Sequence, residues 1–102
     1  MKIIFSRSGG FAGLRRVLTL DSANLSAEEL SRLEQLIEES NFFHIMDIQK
    51  FPDYPDAIQY EIIIDMRGSR KAIKFGEREI PDQLNSLVGY LNQMAHKKRF
   101  LQ

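Results

Sequence analysis

Lys2-Ile3-Ile4-Phe5-Ser6-Arg7-Ser8-Gly9-Gly10-Phe11-Ala12-Gly13-Leu14-Arg15-Arg16-Val17-Leu18-Thr19-Leu20 decides the fold, because it holds two alternating segments around a glycine-framed break. In 2–6, Ile3 and Phe5 share one face. In 14–20, Leu14, Arg16, Leu18 and Leu20 share a face, with Arg15 and Val17 opposite. Alternation with period two is the mark of a strand with one buried side. Between the segments, residues 8–13 contain three glycines, which accept the positive φ angles that other residues resist. The expected structure is a pair of antiparallel strands joined by a turn or loop over 8–13.

Downstream of this hairpin the period changes. Ser26 stands three residues before Glu29, the spacing of a capping box, and Leu25 and Leu30 flank it as a hydrophobic staple. Leu30, Leu33, Leu36 and Ile37 then form one helical stripe, with Glu28, Arg32, Glu38 and Glu39 outward. This predicts a helix over 26–40 that stops near Asn41. Residues 41–58 form a long connection containing Phe42, Phe43, Phe51, Tyr54, Pro52 and Pro55, in which part of the aromatic content is expected to pack on the core. Gln59 to Asp65 reads as a strand with Tyr60, Ile62 and Ile64 inward; residues 66–70 turn, and 71–75 return. Pro81 and Asp82 open a last helix striped by Leu84, Leu87, Val88, Leu91, Met94 and Ala95. The order ββαββα implies an α+β fold, a four-stranded antiparallel sheet with two helices on one face.

The 102 residues fit one domain, spanning 1–102, and the 43% hydrophobic content, with seven Phe and three Tyr, supplies one core. Fourteen Lys plus Arg offset fourteen Asp plus Glu, so there is no basic surplus for a nucleic-acid partner. The absence of Cys excludes disulfides, thiolate metal sites and a thiol nucleophile. Residues 1–7 are too short and charged for a signal peptide, and no run approaches the ~20 apolar residues that cross a bilayer. A protein in the cytoplasm, without a membrane partner, is the expectation.

The search for chemistry returns little. His44 with Asp47 is half a metal site at best, and His96 lies in the basic end of the last helix. No Ser stands in a nucleophile elbow, and the carboxylate pairs Glu28-Glu29 and Glu38-Glu39 lie at a helix start and on a solvated face. Asp53 and Asp56 bracket Tyr54-Pro55 as turn residues. The glycines of 8–13 lead into a strand rather than a helix, which argues against a phosphate cradle. Lys97-Lys98-Arg99 lacks the interleaved aromatics of a nucleic-acid platform. A non-enzymatic binding protein without metal or cofactor is expected. Two readings of Phe11 stand side by side: it folds back to cap the sheet edge, or it enters a partner's pocket as an aromatic anchor.

Phe5-Ser6-Arg7-Ser8-Gly9-Gly10-Phe11-Ala12-Gly13-Leu14-Arg15-Arg16, with Asn41-Phe42-Phe43 and Tyr54-Pro55-Asp56-Ala57-Ile58-Gln59-Tyr60-Glu61-Ile62, resembles the emfourin family, protealysin-associated protein inhibitors of thermolysin-like metallopeptidases. The similarity extends over nearly the whole chain and into the last Leu-rich helix. It implies a small intracellular inhibitor, a monomer when free, whose partner is a thermolysin-like zinc metallopeptidase. The residues expected at the interface are Ser8, Gly9, Gly10, Phe11, Ala12 and Gly13 of the hairpin loop, with Tyr54, Pro55, Asp56 and Ala57 as a second surface. The rival expectation is a regulatory or scaffold module that binds another protein through its exposed sheet edge.

Overall fold

The computed structural model describes residues 1–9, 14–45 and 58–98. Along the chain come β1 (Lys2–Gly9), β2 (Leu14–Asp21), α1 (Ala27–Ser40), β3 (Gln59–Met66), β4 (Ser69–Gly76) and α2 (Asn85–Lys98). The four strands form one sheet in the order β2-β1-β3-β4, with every pairing antiparallel. This is the expected ββαββα arrangement.

Period two in β1 sets the register of its neighbours. Ile3 lies opposite Leu20 on one side and Ile64 on the other, and Phe5 lies opposite Leu18 and Ile62. All six are buried, and Ile3, Phe5, Ile62 and Ile64 are fully so. A slip of one residue would send this whole set to the opposite face. Leu33, Leu36 and Ile37 of α1 and Leu87, Val88, Leu91, Met94 and Ala95 of α2 join the same core, so both helices cover the Ile3–Phe5 face. Phe5 stacks on Tyr60 at a centroid separation of 5.5 Å, and Tyr60 meets Phe75 at 5.7 Å, extending the core towards β4.

The start of α1 follows its sequence signals. Ser26 Oγ accepts from the Glu29 amide at 3.1 Å, and the Ser26 amide donates to Glu29 Oε1 at 3.0 Å. Asn41 ends the helix in the left-handed region at φ 56°. The Ser26 amide holds the Glu29 carboxyl below its ordinary value of 4.5; burial opposes this, while Lys98 and Lys97 add to it. Phe42 is fully buried and Phe43 partly so, as expected for the aromatic connection, whereas Phe51 and Tyr54 lie outside the described residues.

Several boundaries differ from the sequence reading. β1 runs past residue 6 to Gly9, because as an inner strand it is laddered on both sides by β2 and β3, and Ser8 still pairs with Arg15 and Gln59. The second turn is only Arg67-Gly68, at φ 53° and 80°, so β3 and β4 extend to Met66 and from Ser69. Two consecutive positive φ values are the signature of the tight hairpin turn whose twist matches its strands. Finally, the Leu84 amide bonds the Pro81 carbonyl at 2.8 Å, so a 3-10 turn over Asp82–Leu84 precedes α2.

Ser26→Ala should lower stability by about 1 kcal/mol, and Ile62→Ala by about 2–5 kcal/mol, both read from urea midpoints. A depressed carboxyl stabilises the fold above its unfolded pKa and loses that contribution as pH falls through the folded one. Glu29→Gln should therefore flatten part of the stability loss seen on acidification below 4.5; an unchanged slope would count against the cap.

Candidate functional site

β1 ends where β3 begins. Ser8 pairs with Gln59, and Gln59 pairs in turn with Gly76, so one row reads Arg15, Ser8, Gln59, Gly76 across the four strands. Glu77 donates its amide to the Ile58 carbonyl at 2.9 Å, which fixes the chain just before β3. The flanks of both segments expected at the interface thus lie side by side at one end of the sheet. Of the expected residues, Ser8 and Gly9 are described; Gly10, Phe11, Ala12, Gly13, Tyr54, Pro55, Asp56 and Ala57 lie outside the described residues.

Ser8 and Gly9 belong to the ladder rather than to a loop, a correction to the expectation for 8–13. Gly9 nevertheless takes φ 95°, a conformation that a side chain disfavours. It pairs with Leu14 and is the last described residue before the tip of the hairpin.

On the side of the sheet away from the helices, Ser6, Ser8, Arg15, Gln59, Glu61 and Lys74 line an open hollow of about 220 Å³. Lys74 holds Glu61 at 3.7 Å across β3 and β4. The hollow is polar and open, and its carboxylate, Glu61, is engaged by Lys74. His44 is exposed at the end of a 3-10 turn, and His96 is exposed in the last turn of α2. Among the described residues no group of three His, Asp or Glu side chains is placed to hold a metal ion. No described helix is long and apolar enough to cross a membrane.

Three side chains that the sequence analysis did not single out stand around the strand ends. Arg7 lies opposite Arg16 on the face that carries Phe5, and Arg15 lies opposite Ser8 on the other face. Their signal in the sequence is the run of basic residues without an acidic one over 1–20, which a net charge of zero conceals.

Compared with known proteins, the chain matches a family model described as Emfourin over residues 5–92. No curated protein and no solved structure matches it.

Gly9→Ala should cost about 1–2 kcal/mol, since alanine is forced into a positive φ. Denaturant midpoints of the two proteins would measure it, and equal midpoints would mean that the strand end relaxes to another conformation.

Proposed function

This chain belongs to the emfourin family, and from that premise we propose that it inhibits a thermolysin-like zinc metallopeptidase by filling the active-site cleft with its first hairpin loop. Family membership supports a protease-inhibitor type of function and a protease as partner. The observation that carries the finer reading is the register that sets Ser8 beside Gln59. It sets Gly9 and Ile58, the described neighbours of the two segments, at one end of the sheet, which supports a reading in which both segments meet one partner surface.

Physics favours this mode. The sheet under the tip is anchored by fully buried Phe5 and Ile62, so its strands lose little freedom on docking, which favours tight binding and slow release. Phe11 serves as the aromatic anchor in this reading, and the cleft of such an enzyme accepts a bulky apolar side chain beyond the scissile bond. Tyr54, Pro55, Asp56 and Ala57 form the second contact. The zinc is the peptidase's own; the inhibitor carries no cysteine to compete for it. The free inhibitor is a monomer in the cytoplasm and has no catalytic activity of its own.

Titration of a thermolysin-like peptidase should show stoichiometric loss of activity. Phe11→Ala, in a protein that still unfolds with the wild-type midpoint, should weaken inhibition at least about tenfold, a loss of ~1.4 kcal/mol or more. Unchanged inhibition moves the anchor elsewhere. A titration without any loss of activity favours the rival protein-binding module, for which β2 and β4 are the edge strands of the described sheet.

A further inference from the structure

Charge is segregated along this chain although it sums to zero. Residues 1–20 hold four basic side chains and no acidic one, whereas 21–39 hold six acidic and one basic. The fold treats the two blocks differently. Glu34 and Glu38 of α1 meet Arg67 at 3.6 and 3.3 Å, and Glu29 meets Lys98 and Lys97 at 3.5 and 3.9 Å. Three of the six carboxylates in the acidic block are thus ion-paired within the molecule. Arg7, Arg15 and Arg16 form no ion pair among the described residues, and the nearby carboxylate of Glu61 is held by Lys74.

Their placement works against stability. Arg7 and Arg16 are direct cross-strand partners and therefore project from the same face. Like charges in that relation repel. Arg15 projects from the other face, so the three guanidiniums surround the hairpin on both sides, within two residues of Gly9 or Leu14. Arg15 and Arg16 are exposed and Arg7 is half-buried. A guanidinium is weakly hydrated and forks onto carboxylates through two hydrogen bonds.

We propose that Arg7, Arg15 and Arg16 form a collar that docks on carboxylates at the rim of the target peptidase's cleft and accelerates association with it. This rests on the inhibitor reading above and adds the chemistry of the partner's surface. Oppositely charged rims steer an encounter, and their effect falls with salt. A polyanion such as nucleic acid fits less well, since useful affinity there takes many phosphate contacts rather than three.

The experiment measures association and dissociation rates with thermolysin as the probe, at about 20 mM and about 300 mM salt. Wild-type association should fall about tenfold between them. The variant Arg7→Gln/Arg15→Gln/Arg16→Gln should associate about tenfold more slowly at low salt, with little salt dependence and a dissociation rate within about twofold of wild type. Its thermal midpoint should match or exceed the wild type, because a repulsive pair is gone. If the triple variant fails to fold, Arg15→Gln alone should slow association about two- to threefold.

Unchanged association in these variants, or a loss confined to dissociation, overturns the collar while leaving the inhibitor reading intact. A wild type that does not inhibit removes that reading and the collar with it. Arginine-dependent binding to a labelled DNA duplex, with normal association to the peptidase, would reassign the collar to a polyanion.

Discussion

β1 is hydrogen-bonded along both sides and buried on one face, and this double constraint organises the domain. Its backbone groups must pair with β2 and β3 at once, since a buried N–H or C=O left alone is costly. Its side chains must also deliver Ile3 and Phe5 to the helices. Only one register satisfies both demands, and it fixes where Leu18, Leu20, Ile62 and Ile64 lie. The helices then have one apolar surface to cover, and α1 and α2 meet over it.

The same constraint explains what was readable. Elements with strong local signals appear where their residues indicate: the Ser26–Glu29 box starts α1, Asn41 stops it, and the alternation Tyr60, Ile62, Ile64 faces inward. Strand ends were less legible. Ser6, Arg7 and Ser8 have no apolar alternation to report them, and only pairing with two neighbours keeps them extended. The tight turn at Arg67-Gly68 was blurred because an arginine with a positive φ is an unusual choice; here its side chain reaches Glu34 and Glu38 on α1. That exposed contact contributes little by itself, yet it links the second hairpin to the first helix.

For the candidate site, the family likeness was legible, but adjacency was not. Nothing in the linear order places residue 8 beside residue 59, because strand pairing across the inserted helix is a property of the sheet. The arginines around the first hairpin went unnoticed for a related reason. A total of zero charge hides two opposing blocks, and only the contacts show that half of the acidic block's carboxylates are ion-paired within the molecule, whereas Arg7, Arg15 and Arg16 form no ion pair among the described residues.

Lys71 offers a last consequence. Its side chain rises from β4, and its ammonium donates to the carbonyl of Ile45, with that of Phe43 at 3.5 Å. With the Glu77 amide gripping Ile58, the chain is clamped immediately before and immediately after residues 46–57. Lengthening a connection between fixed clamps is inexpensive, about 0.6 kcal/mol per doubling. A change in the length of this stretch therefore reaches the sheet mainly as a small closure cost, because both of its ends are set by contacts of their own.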